Sequence, residues 1–195
     1  MFTRVLTLLT LLGLFACAGV EKKQSAEQTE LSAEEIKKIE MKESFTEALS
    51  YQKDEDYNEA EVIYKRLLVE DESLISPLIN LGVIAVKQQD LKTAKEYFEK
   101  AIELDPNNER SLNYLGYIAR DSGKFDEAEA FYRKVLENSP NNQLAVRNLG
   151  ILLDLYRGRL EEALALYEQY QSLQPEPDPK VKDWIFDTKN RLKVK

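Results

Sequence analysis

The sequence predicts an all-α fold, a short solenoid of stacked helix pairs, and three observations carry that prediction. Small residues recur at a near-constant step: Ala60, Ala94, Ala128 and Ala163 lie 34, 34 and 35 residues apart, a period that signals repeated supersecondary units. The chain is 43% hydrophobic and 32% charged with only seven glycines and six prolines, which favours helices with solvated outer faces over loop-rich or disordered structure. Its 195 residues suffice for one compact domain or a short solenoid with a continuous core, without a second large domain.

The N-terminal segment, residues 1–16, reads as a secretory signal: Arg4 supplies a positive start, and Val5 to Phe15 is an apolar run too short to span a bilayer comfortably. The run ends in Leu14-Phe15-Ala16-Cys17, which resembles the bacterial lipobox, although Phe15 stands where a small or aliphatic residue is usual. That resemblance implies lipidation of Cys17 as the first mature residue. An ordinary signal peptide cleaved nearby, or an uncleaved anchor with an unmodified cysteine, are the other readings. Two or more acyl chains make a lasting tether where one does not. By the same resemblance, Ala18 after the cysteine points to the outer membrane, facing the periplasm. Residues 17–31 then form the lipidated cysteine and a leash, rich in Glu, Lys, Gln and Ser, which has too little apolar content to fold. Stretched, it reaches at most ~50 Å, with a typical span of ~20 Å.

Residues 32–176 carry the helical pairs. Ser32-Ala33-Glu34-Glu35 has capping-box spacing, with Leu31 and Ile36 placed for a hydrophobic staple, so a helix is expected to start there and run into the first unit. Four units follow, at 41–74, 75–108, 109–142 and 143–176. Gly82, Gly116 and Gly150 fall in first helices, each after a leucine; the repeated alanines fall in second helices; Tyr64, Phe98, Tyr132 and Tyr167 follow those alanines by four residues and so share their face. Pro106, Pro140 and Pro175 close units, since proline lacks the backbone donor and restricts the residue before it. The first unit is the weakest match, with Ala48 in place of glycine and Glu72 in place of proline. The last holds one extra residue near Asp154 to Arg157. Residues 177–195 read as a capping helix bearing Val181, Trp184, Ile185, Thr188 and Leu192, with Trp184 expected in buried packing.

The agreement of small, aromatic and proline positions resembles the tetratricopeptide repeat, a helix-turn-helix unit of 34 residues. The resemblance implies a right-handed superhelix whose first helices line a concave groove that takes an extended peptide or partner helix. Carried over by spacing, the groove candidates include Lys53; Ile79, Asn80, Val83, Val86 and Lys87; Arg110, Asn113, Tyr117, Arg120 and Asp121; and Leu144, Arg147, Asn148, Ile151 and Asp154. With Lys42 added, the candidate set holds six basic residues and two acidic ones, inside a chain of net charge -8 that becomes -9 when Arg4 is removed. That contrast favours a protein or peptide partner with acidic groups or a terminal carboxylate. Solvated helix positions without a partner are the alternative.

Most enzyme classes lack their raw material. There is no histidine and one cysteine, which removes zinc sites, Cys-His or Ser-His-Asp nucleophiles and disulfide frameworks; no cofactor is expected. The acidic balance disfavours nucleic acid. The expected role is therefore a non-enzymatic scaffold, similar in plan to pilotin-like lipoproteins of type IV pili, that assists assembly of an envelope complex of pilus or secretion type. An adaptor for cell-wall enzymes or for an energy-coupled transport or motility complex is the alternative, and a hydrolase using Asp121 and Asp154 is a remote one.

Overall fold

Hydrophobic stripes of 3.6-residue period, interrupted every 13 or 14 residues, dictate short paired helices, and the computed structural model, which describes residues 31–194, contains nine among them and no strand. The signal segment, Cys17 and nearly all of the leash lie outside the described residues. The helices are α1 (Ala33–Lys53), α2 (Tyr57–Glu70), α3 (Ile75–Lys87), α4 (Leu91–Leu104), α5 (Glu109–Asp121), α6 (Phe125–Asn138), α7 (Gln143–Leu155), α8 (Leu160–Ser172) and α9 (Pro179–Lys193). Each packs on its neighbours in sequence, and α5 also touches α7, so the odd-numbered helices lie side by side.

Local chemistry sets the boundaries. Asp90, Asn108, Asn142 and Asp178 cap α4, α5, α7 and α9 by accepting from backbone N–H groups of the first turn, and Pro179 occupies the first turn of α9, where no donor is needed. At α1, Ser32 and Glu35 form the expected reciprocal capping box. Leu31 and Ile36, the residues placed for a staple, are 52% and 45% exposed, and residues 33–40 all lie at the surface. The turn inside each pair reverses the chain through a left-handed residue, at Glu55 (φ 65°), Gln89 (φ 64°), Gly123 (φ 73°) and Gly158 (φ 64°). The last of these turns is one residue longer, as the extra residue requires.

The core is a row of small residues under aromatic rings. Ala60, Ala94, Ala128 and Ala163 are all 0% exposed, as are Tyr64, Phe98 and Tyr132. The glycines do more than allow two helices to approach: a Cβ at Gly82, Gly116 or Gly150 would stand 2.7, 2.5 or 2.8 Å from a ring carbon of Phe98, Tyr132 or Tyr167. The ring of each second helix is thus seated on the glycine of its own first helix. In the first unit Ala48 takes the glycine's place, and Tyr64 lies tilted against Phe45, with centroids 5.6 Å apart.

Packing of α9 on α8 buries Val181 and Thr188. Trp184 departs from the expected burial: it is half-buried, its ring 5.4 Å from that of Tyr167 and its remaining surface on the concave side. Asp154, expected in the groove, is also corrected. It is 6% exposed, accepts from the Tyr167 hydroxyl at 3.2 Å and from Arg191 Nη1 at 2.5 Å, and so ties α9 to the last unit.

Candidate functional site

Side-by-side first helices expose one face each, and those faces enclose a concave groove of about 580 Å³. Val86 of α3, Arg110, Asn113, Tyr114, Tyr117 and Arg120 of α5, Leu144, Arg147, Asn148 and Ile151 of α7, and Lys180 and Trp184 of α9 line it. All come from odd-numbered helices. The lining combines apolar surface from Val86, Leu144 and Ile151, three aromatic rings and four cations, and it contains no acidic residue. A wall of low dielectric focuses the field of those cations into the groove.

None of the four cations is neutralised by an ion pair among the described residues. Arg110 Nη1 donates to Asn80 Oδ1 at 3.4 Å. Arg120 lies over the Tyr117 ring at 5.6 Å and Arg147 over Tyr170 at 5.9 Å, distances at which the ring face attracts a cation without quenching its charge. The surface ion pairs lie elsewhere: Glu129 and Glu162 bridge Arg133 and Arg159 between second helices. Burial pushes Glu129 up, but the guanidinium groups of Arg133 and Arg159 outweigh it and hold the carboxyl below its ordinary range.

Beneath the groove, a polar junction ties the start of α5 to the turn between α6 and α7. Asn113 Nδ2 donates to the Glu109 carbonyl at 3.0 Å and to Asn142 Oδ1 at 3.3 Å, while Asn142 Nδ2 donates to Glu109 Oε2 at 2.7 Å and the Ser139 hydroxyl donates to Glu109 Oε1. The buried Asn113 Oδ1 has no hydrogen-bond partner among the described residues. Burial pushes the Tyr132 hydroxyl up to about 12, with the nearby Arg120 charge acting in the opposite sense.

The structure therefore brings together nine of the residues expected from spacing: Val86, Arg110, Asn113, Tyr117, Arg120, Leu144, Arg147, Asn148 and Ile151. Others are placed differently. Ile79 and Val83 belong to the core between α3 and its neighbours, because their positions turn toward the next unit. Asn80 is buried one layer below the surface, holding Arg110. Lys53 and Lys87 sit exposed at the ends of α1 and α3, outside the groove. Asp121 is exposed at the end of α5 while Asp154 is committed to Arg191 and Tyr167, so the two carboxylates do not build an acid-base pair.

Three lining residues were missed. Tyr114 stands at the register held by Asn80 and Asn148, and its ring stacks on Phe98 with centroids 4.7 Å apart. Lys180 and Trp184 come from the helix expected only to cap. A signal for them was present: Val181 and Thr188 follow the buried Val146 and Leu153 by 35 residues, the step set by the extra residue, so α9 continues the series of first helices.

A tandem of helix pairs with a concave face built from alternate helices defines a protein-interaction solenoid. Two family models, both described as tetratricopeptide repeat, match residues 79–143 and 119–183, together more than half of the chain, and the protein belongs to that family. No curated protein matches the sequence. Among solved structures, PilF of Pseudomonas aeruginosa superposes with a TM-score of 0.70 at 21% identity, covering 79% of this chain and 69% of that one. A MamA structure designated AMB-1 gives a TM-score of 0.62 at 24% identity over 80% and 84% of the two chains. YrrB, described as a TPR protein with an unusual peptide-binding site, gives 0.58 at 25% identity over 71% and 70%. These likenesses establish the fold, and membership of the tetratricopeptide repeat family supports a scaffold for binding protein or peptide.

Proposed function

We propose that the groove between α3, α5, α7 and α9 takes an acidic segment or terminal carboxylate of a partner protein, and that the chain acts as a lipid-anchored, periplasm-facing scaffold of the outer membrane in assembly of a pilus-type or secretion-type complex. One observation supports the binding mode above others: four cations without ion pairs, and no carboxylate, line a concave surface in a chain of net charge -8. Self-repulsion in an acidic protein disperses negative charge, so a basic interior to the groove selects partners by complementarity and speeds their encounter. The aromatic rings of Tyr114, Tyr117 and Trp184 add apolar area that fixes a bound segment in place. On this reading the protein acts by recruiting a partner. The anchor reading rests on Cys17 at the end of the apolar run, and the assembly role on the likeness in fold to PilF together with that run.

The test is a pull-down of the tagged protein from envelope extracts. Arg110→Glu with Arg147→Glu abolishes partner capture while the helical circular dichroism is retained, whereas Lys92→Glu with Lys100→Glu on exposed α4 leaves it intact; capture that survives the groove change removes the proposed site. For the anchor, Cys17→Ser shifts the protein from the membrane fraction to the soluble fraction. An unchanged distribution contradicts lipidation.

A further inference from the structure

Near the end of each first helix one residue meets the aromatic ring of its own second helix, and the match differs from unit to unit. The series is Gln52, Val86, Arg120 and Asp154, each 34 residues after the last, opposite Tyr64, Phe98, Tyr132 and Tyr167. In the first unit the Tyr64 hydroxyl donates to Gln52 Oε1 at 3.0 Å. In the second, Val86 packs on the cluster that holds Phe98, apolar against apolar. In the fourth, the Tyr167 hydroxyl donates to Asp154 Oδ2 at 3.2 Å. The third unit breaks the rule: Tyr132 Oη and Arg120 Nη1 are both buried, and neither has a hydrogen-bond partner among the described residues. Arginine carries five donors and no acceptor, so it is the one polar member of the series that cannot accept the proton of a facing hydroxyl.

Arg120 is also the one of the three groove arginines on α5 and α7 with a buried nitrogen that lacks a hydrogen-bond partner among the described residues. Arg110 is bonded to Asn80, Arg147 lies over the Tyr170 ring, and Arg120 rests on the Tyr117 ring, itself part of the groove lining. It is half-buried, with part of its guanidinium open to the groove. An unpaired donor inside is unfavourable, and a carboxylate outside matches the guanidinium fork with two parallel charge-assisted bonds.

We infer that Arg120 is the anion anchor of the groove: a partner's carboxylate draws its guanidinium away from the Tyr132 hydroxyl and takes it as a bidentate pair, the unmatched floor of the third unit making that inward seat easy to leave. This rests on the groove as the site for an acidic segment. It adds which residue grips the carboxylate and why that residue, unlike its three counterparts, is not satisfied by its own fold.

Arg120→Gln separates this role from a structural one, because glutamine restores the pairing of Gln52 with Tyr64 and gives the Tyr132 hydroxyl an acceptor. The full chain in detergent is titrated against two fluorescein-labelled octapeptides by fluorescence anisotropy. One alternates glutamate and glycine and is amidated, so that it carries only side-chain carboxylates; the other is glycine and serine with a free terminus and carries only the main-chain one. The variant is expected to melt at or above the parent's temperature while binding the preferred probe about tenfold or more weakly, and the ratio of the two probes on the parent identifies the source of the carboxylate. A variant that melts lower, or one that binds both probes as the parent does while Arg110→Glu with Arg147→Glu loses them, overturns the anchor and leaves the groove site standing. A parent that binds neither probe removes the groove site and the anchor together.

Discussion

Replacing Gly116 by alanine tests the seating of rings on glycines most sharply, because two known effects oppose each other there. Within a helix, alanine in place of glycine gains about 0.5–1 kcal/mol from backbone entropy. The added Cβ, however, would stand 2.5, 2.8 and 2.8 Å from Cε1, Cδ1 and Cζ of Tyr132. Carbon atoms at rest lie about 3.5–4.0 Å apart, so the ring must retreat by roughly 1 Å. Tyr132 is 0% exposed and enclosed by Ala119, Val146 and Leu149, which leaves it no free volume. Overpacking of this kind costs about 1–3 kcal/mol, here toward the upper end. The net loss is about 2 kcal/mol, and in a domain of this size it lowers the melting midpoint by about 4–8 °C. The assay is thermal melting by circular dichroism at 222 nm, beside Gly116→Ala combined with Tyr132→Leu. A smaller side chain opposite the new methyl relieves the clash, so the double variant is less destabilised than the sum of the two single ones. A Gly116→Ala protein as stable as the parent, or more stable, refutes the reasoning, because only the helix-propensity gain would then be acting.

The other predictions concern the turns, the surface network and the capping helix. Gln89 holds a left-handed backbone at φ 64° where the third and fourth pairs use glycine, so Gln89→Gly is expected to raise stability by about 0.5–1 kcal/mol, measured by urea denaturation. Glu129 and Glu162 have carboxyls held below their ordinary value of 4.5 by Arg133 and Arg159, so their contribution is present above that pH and is lost as pH falls through the lowered folded-state values. Glu129→Gln should therefore reduce the melting midpoint at neutral pH and flatten its decline in acid, as a melting series across that range will show. Arg191→Met leaves the buried Asp154 carboxylate with only the Tyr167 hydroxyl, which costs about 1–3 kcal/mol and loosens α9; the fluorescence of Trp184, the single tryptophan, reports it as a transition that precedes loss of helix.

Much of the architecture was legible because it is written in small residues. A side chain excluded by contact, as at Ala94 or Gly150, leaves a fixed mark at each period, and so do the prolines that stop second helices. The groove was legible in part, for the same reason: Arg110, Tyr117 and Arg147 face outward by helical period alone. Ile79 and Val83 were misplaced because a shared helical face still leaves open whether the next unit covers it, and that depends on how the pairs are stacked. Asp154 was unreadable as a latch, since its partner Arg191 lies 37 residues away on a helix expected only to cap. Lys180 and Trp184 were overlooked because their helix lacks the glycine that marks the others. The mismatch at Arg120 and Tyr132 depends on hydrogen-bond pairing that only three-dimensional placement reveals.

The most direct measurement is site-specific photo-crosslinking in living cells, with a benzophenone side chain at Tyr117 in the groove or at the outward-facing Val69 on α2, which is 88% exposed. Mass spectrometry of the products identifies the partner segment joined to each position. Concave binding predicts one dominant product from Tyr117, joined to a stretch of the partner rich in carboxylates or ending in its C-terminus, and none of it from Val69. The same product from Val69, or a Tyr117 product joined to a basic or uncharged segment, would contradict it.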